Sequence, residues 1–363
     1  MSGPAAGTAV AATTTDVVCL GESMVTFLPS QPGRLADVPS FGRGIGGAES
    51  NVACALAAAG HRAAWVGRVG VDGFGDHLVE TIASYGVDTS AVRRDPVRPT
   101  GIYFRTATDR GTDTHEVAYY RAGSAASAMS PANMPYEELF AGRVLHLSGI
   151  TAALSGDCLA LLRELTAPRA GRPLVSFDVN HRPHLWRGGD ADASVLLELA
   201  RRSDLVFVGE DEAEEAWGIV GAEAIRAAVP EPAVLVVKRG STGATVFASG
   251  PRPGPRSSNA GGAETVTHVP ALRVDVVAAV GAGDAFAAGF LSATLRGLSV
   301  RDRARHGHLM AAAVLTVPGD LTEPPARDHA DRLVALDDDA WGRLRLGPGW
   351  TAADRASEEV RTP

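Results

Sequence analysis

Val280-Gly281-Ala282-Gly283-Asp284-Ala285-Phe286-Ala287-Ala288-Gly289-Phe290-Leu291 is the stretch from which this chain is read. A β-branched run, Val274, Val276 and Val277, precedes it and reads as a strand. Gly281 and Gly283 let the backbone turn tightly. From Ala285 to Leu295 the small and apolar residues predict a buried helix. A glycine turn that opens a helix aims several N–H groups at one point, with the helix dipole behind them. Such a point suits a phosphate or another developing anion. Asp284 stands at its mouth, where the dipole is expected to keep the carboxylate ionised and able to accept a proton from a hydroxyl. An anion hole beside a base is what phosphoryl transfer to an alcohol requires. The plainer alternative is a strand–turn–helix corner with Asp284 as an N-cap.

Composition limits the rest. The 363 residues suffice for one large α/β domain with an appendage. Hydrophobic residues make up 45% and charged residues 21%, which predicts a packed core. A net charge of -8 argues against a nucleic-acid or anionic-membrane partner. Cys19, Cys54 and Cys158 are widely spaced and odd in number, so they read as reduced thiols in a cytoplasmic protein. No apolar run is long enough to span a bilayer. Residues 1–15 read as a flexible tail rather than a signal peptide. Lys238 is the only lysine in the chain. Either it is kept for a task or it survives by chance.

Along the chain, Asp16–Phe27 reads as a first strand, with Val17–Leu20 apolar enough to be buried on both faces and Gly21 and Glu22 at their carboxyl end. Gly44, Gly46 and Gly47 precede a helix from about Ser50 to Ala59, built of very small residues. The glycines could admit a small ligand, with Asn51 supplying hydrogen bonds. Strand and helix patterns then alternate, as in a parallel sheet covered on both faces. The rhythm breaks between Arg98 and Arg121, where two alternating stretches flank a hairpin loop at Asp109–Asp113 and suggest an inserted lid. Tyr103, Tyr119 and Arg121 fall near its inner end. Parallel strands resume at Val144–Leu147, Leu174–Asp178, Leu205–Val208 and Val234–Val237. Each ends in polar residues: His146 and Ser148; Asp178, Asn180 and Arg182; Glu210 and Glu212; Lys238. In open α/β sheets, ligands bind beyond those ends. Pro251–Gly262 reads as a surface loop. Residues 327–363 are charged and aperiodic, and read as a peripheral or disordered tail.

Two glycine signatures in this order resemble those of the ribokinase-like, PfkB-type sugar kinases. They are Gly46-Gly47-Ala48-Glu49-Ser50-Asn51 and Val280-Gly281-Ala282-Gly283-Asp284. The resemblance runs from about Val17 to Thr322. Tyr119–Ser127 and Phe177–Trp186 look most like 2-keto-3-deoxygluconate kinases, with fructokinases as the alternative. The family fold is a three-layer α/β/α sandwich with a mostly parallel central sheet and a small antiparallel β lid. The kinase domain would then span 16–326, with the lid inserted at about 22–45 and 97–122. The resemblance implies ATP- and Mg2+-dependent phosphorylation of a primary hydroxyl on a small sugar or sugar acid. Asp284 would be the base, and the N–H groups of Gly281, Ala282 and Gly283 the anion hole. Gly46, Gly47, Asn51, Tyr103, Tyr119, Arg121 and Arg182 would line the sugar site. Lys238, Gly240 and Gly243, with Gly281 and Gly283, would face the nucleotide. Glu212 would organise magnesium through water. The asparagine three residues before that glutamate in the family is Gly209 here. The lid implies a homodimer.

Two arginines converging on a pocket suit a carboxylate, which favours a sugar acid. One departure cuts the other way. Ala278 and Ala279 stand where the family carries Asp-Thr, and that Asp contributes to a monovalent-cation site in many members. A binding protein with impaired kinase activity is therefore the competing reading. Asp275 is the nearest substitute carboxylate in sequence.

Overall fold

The computed structural model describes residues 15–31, 33–106, 116–186, 192–249 and 263–352. The expected hairpin loop Asp109–Asp113 and the loop Pro251–Gly262 lie outside the described residues.

The continuous apolar runs form one eight-stranded sheet. Its order is Thr265–Val269, Ala244–Ala248, Val234–Lys238, Leu205–Gly209, Leu174–Asp178, Val144–Ser148, Val17–Leu20 and Ala63–Val66. The pairings from Val234–Lys238 to Ala63–Val66 are parallel. The two strands at the other edge are antiparallel. One apolar core lies on each face of the sheet, as expected for strands without a polar side. One face carries the helices Ala48–Ala58, Ala282–Leu295 and Val300–Leu315. These pack closely because small residues line their contacts. A Cβ on Gly289 would lie 2.4 Å from His306 O, and one on Gly307 would lie 2.9 Å from the Phe286 ring. Phe286, Phe290 and Leu291 are buried along the glycine-turn helix. Each contributes about 1.5–3 kcal/mol.

A second, four-stranded sheet forms the lid, in the order Phe41–Gly46, Met24–Pro29, Ile102–Arg105 and Val117–Tyr120. Its outer pairings are antiparallel and its central pairing is parallel. The stretch Asp16–Phe27, read above as one strand, is thus two. Val17–Leu20 belongs to the main sheet, and Met24–Pro29 belongs to the lid. The chain leaves the sheet at Gly21, where a Cβ would lie 2.1 Å from the Glu49 carboxyl carbon.

Two further expectations are corrected. The β-branched run at 274–277 is a strand only at Arg273–Val274, paired with Arg345–Leu346 and not with the main sheet. Beyond it, Val277 N–H donates to Leu315 O at 2.7 Å, so the end of a helix takes the place of a neighbouring strand. Residues 327–352, read above as part of a peripheral tail, are not peripheral. Helices Arg327–Val334 and Asp338–Arg343 dock on the molecule, and Trp341 and Trp350 are buried in the core. Leu333, Val334, Leu344 and Leu346 join them there, but charged residues stand between these and mask the pattern in the sequence.

Candidate active site

The site is built on the glycine turn. Gly281 has φ 77, the left-handed region, and a Cβ there would lie 2.7 Å from Asp320 O. Only glycine fits both constraints. The first helical bond runs from Ala285 N–H to Gly281 O at 2.9 Å. The N–H groups ahead of it, including Ala282 and Gly283, therefore have no acceptor within the helix.

Asp284 lies in the first turn of this helix. Its Oδ2 accepts from Asn51 Nδ2 at 2.9 Å, which joins the two glycine signatures across the molecule. Burial pushes the Asp284 carboxyl up to about 7. The Asn51 bond, Arg182 and Lys238 pull it down, while Asp178 pushes further up. The expectation that the dipole keeps Asp284 fully ionised is corrected: loss of water outweighs it. The result is a better base, since its pKa sits near neutral pH.

Lys238 reaches the same point from the end of its strand. Its Nζ lies 3.1 Å from both carboxylate oxygens of Asp178 and 3.7 Å from where a Cβ on Gly283 would stand. Burial alone would weaken its charge, but Asp178, Glu212 and Asp284 raise its pKa above the ordinary lysine value. The cation is therefore held beside the turn.

A groove of about 1410 Å³ opens from that point and is lined by Glu212, Lys238, Gly240, Gly243, Ala282 and Gly283, among others. Gly240 and Gly243 have φ 53 and 124 and shape the turn after the lysine strand. Glu212 accepts from Gly209 N–H at 2.7 Å through Oε2, while its Oε1 lies 3.5 Å from Arg182. Glu210 and Asp211 stand beside it on the groove wall. Among the described residues, no group of three or more His, Cys, Asp or Glu side chains could hold a metal directly.

On the other side of Asp284 lies the lid. Tyr103 is buried, with its hydroxyl where a Cβ on Gly46 would project. A Cβ on Gly47 would lie 2.5 Å from Glu22 O. Tyr119 packs against Tyr103 at 5.5 Å and stacks on His184 at 5.0 Å. Arg121 lies 5.7 Å from the Tyr119 ring and forms an ion pair with buried Glu22, which also accepts from Ser124 Oγ at 2.7 Å. Both arginines expected to receive a carboxylate already have acidic partners. Arg121 is tied to Glu22, and half-exposed Arg182 is tied to Glu212. Arg121 Nε and Asn51 Oδ1 are nevertheless buried without a hydrogen-bond partner. They offer a donor just after the lid strand Val117–Tyr120 and an acceptor on helix Ala48–Ala58.

Several residues escaped the sequence-based site. Asp178 and Glu22 were visible as polar strand ends, but their partners were not. Asp320 gave no signal at all. Its side chain is buried and pairs with Arg105 of the lid at 2.7 Å, and its backbone packs on Gly281. Ala278 is buried, and Asp275 pairs with Arg345 at 2.7 Å.

Relatives share this arrangement of elements. Residues 14–327 match the pfkB family carbohydrate kinase description. A 2-dehydro-3-deoxygluconokinase of Bacillus subtilis (strain 168) is 34% identical over 318 residues, covering 86% of this chain and 93% of its own. Fructokinase-1 of Oryza sativa subsp. japonica is 32% identical over 279 residues, covering 76% and 81%. Among solved structures, a PfkB protein from Polaromonas sp. JS666 superposes with TM-score 0.73 at 32% identity, covering 89% of this chain and 100% of its own. An uncharacterized sugar kinase from Pyrococcus horikoshii in complex with ATP gives TM-score 0.72 at 25% identity, covering 86% and 96%. The chain is a carbohydrate kinase and belongs to the pfkB family.

Proposed function

We propose that the protein transfers the γ-phosphoryl group of ATP to the primary hydroxyl of a small sugar acid, with 2-keto-3-deoxygluconate converted to its 6-phosphate. The observation that carries this reading is the convergence of Asp284, the Gly281–Gly283 turn and Lys238 at one point. Asp284 takes the hydroxyl proton as the new oxygen–phosphorus bond forms, and the bond to the β-phosphate oxygen breaks with its electrons leaving on ADP. Lys238 and the turn N–H groups neutralise the charge that develops between the two oxygens. A proton acceptor with a pKa near 7 suits a transition state in which the proton moves late.

ATP as donor is supported by the groove beside the turn and by the Pyrococcus horikoshii complex. The carboxylates of Glu210, Asp211 and Glu212 fit a magnesium ion held mainly by phosphate oxygens and water. When bound, that ion would neutralise phosphate charge. The sugar acid is supported by the Bacillus subtilis relative and by Arg182, whose charge acts on Asp284. Three free, buried thiols support a reducing, cytoplasmic setting. A homodimer through the lid is supported by its aromatic face. There Phe27 stacks on Phe104 at 4.7 Å, and Tyr120 is 64% exposed.

The test of substrate is a panel of aldonic-type acids and neutral ketoses with Mg-ATP, read as kcat/KM. Higher kcat/KM on the acids supports the proposal. Higher values on fructose would move the assignment to a fructokinase. Binding of sugar and nucleotide without turnover would favour the impaired-kinase reading.

A further inference from the structure

The segment after Arg327 lies beyond the family match, yet part of it borders the groove. Three contacts fix it. Trp341 is fully buried and its Nε1 donates to Pro270 O at 3.0 Å. Arg305, on helix Val300–Leu315, stacks 4.5 Å from the centre of the Trp341 ring, donates to Val334 O at 2.8 Å and pairs with Asp338 at 2.7 Å. Strand Arg345–Leu346 pairs in parallel with Arg273–Val274, the segment that leads into the glycine turn. As a result Gly342 and Arg345 line the same groove as Lys238 and Gly283.

The groove is graded. Lys238, Glu212 and the turn make one end polar. Leu272, Val274, Ala311, Ala312 and Leu315 give another part a more apolar lining, beside the ion pair of Arg345 with Asp275. The arm sits at the apolar part, because its strand is hydrogen-bonded to Arg273–Val274. A nucleotide is graded in the same sense, with charged phosphates at one end and a flat, weakly polar base at the other. Phosphates at the turn therefore put the base beside the arm.

We propose that the C-terminal arm, Asp338–Leu346, forms one wall of the nucleoside end of the donor groove and sets the affinity for the nucleotide. This rests on the reading that a nucleotide occupies the groove. Gly342 gives a direct handle. Gly342 lines the groove, and a Cβ built there meets nothing within 4 Å, so a larger side chain finds open space without disturbing the protein.

The experiment measures ATP binding by calorimetry and KM for ATP in the wild type and in Gly342→Leu, with hydrogen exchange of the wild type as a second readout. The leucine should raise Kd and KM for ATP about tenfold, which is ~1.4 kcal/mol, and leave the KM for sugar nearly unchanged. Peptides covering 338–346 should gain protection with ATP and not with sugar. If the wild type binds no ATP, the reading of the groove is wrong. If it binds ATP while the leucine leaves Kd unchanged, or the arm gains no protection, the arm proposal is wrong and the reading of the groove stands.

Discussion

Replacing Asp284 by Asn separates catalysis from stability, because one carboxylate controls both. The substitution keeps the shape and a partner for Asn51 but removes the base. Loss of a positioned general base lowers kcat by about 10²–10⁴. The stability effect has the opposite sign. The folded pKa of Asp284 is about 7, above its ordinary value of 3.8. A raised folded pKa means that the folded protein holds a proton the unfolded chain has lost. The group's stabilising contribution is complete below about pH 4 and disappears as pH rises through about 7. A difference of about three in pKa corresponds to a ceiling of roughly 4 kcal/mol. Asp284 keeps some contact with solvent, which reduces this to about 2 kcal/mol. Asn cannot ionise, so the variant should melt several degrees above the wild type at pH 8.5 and close to it at pH 4.5, without ligands. The assay is a pair of thermal melts at these two pH values, together with kcat. Near-full kcat in the variant would refute the base assignment. Equal melting of both proteins at pH 8.5 would refute the raised pKa.

Other outcomes follow from the same geometry. Lys238→Met leaves Asp178 buried without its cation, so it should cost about 3 kcal/mol in a denaturant melt. Adding Asp178→Asn should restore the midpoint while kcat stays low. Arg182→Ala should raise KM for sugar acids about tenfold and change KM for neutral ketoses little, because only an acid presents a carboxylate to the guanidinium. Ala278 offers no carboxylate beside the anion hole, and Asp275 is held by Arg345. Exchanging potassium for sodium should therefore leave activity nearly unchanged, and strong potassium activation would contradict this. Ala278→Asp with Ala279→Thr should raise kcat or introduce a cation dependence.

Sequence and structure agree where the signal is local. Short, β-branched apolar runs such as Val17–Leu20 read as strands buried on both faces, and that one is such a strand. The glycine turn ahead of Asp284 reads as a tight turn, and Gly281 takes φ 77 there. The pairing of Asn51 with Asp284 spans 233 positions, so no local pattern could announce it. The same holds for Lys238 with Asp178 and for Glu22 with Arg121. Their ends were legible as polar residues closing strands, and their partners were set by sheet order. The valine run at 274–277 misled because β-branched residues also suit an extended segment that has no neighbouring strand. The C-terminal arm misled because its buried residues Trp341, Leu344 and Leu346 are spaced among polar ones without a regular period. The pKa of Asp284 depends on how much water the surrounding elements exclude, and no motif records that.

The central claim is that Asp284, the glycine turn and the lid side together phosphorylate a sugar acid. Phosphorus NMR of the wild-type protein with Mg-ATP and 2-keto-3-deoxygluconate tests it most directly. The account expects one new phosphomonoester resonance, coupled to the protons of a terminal methylene and formed in step with ADP. Release of inorganic phosphate without a sugar phosphate, or no turnover with this acid while a neutral ketose is phosphorylated, would contradict it.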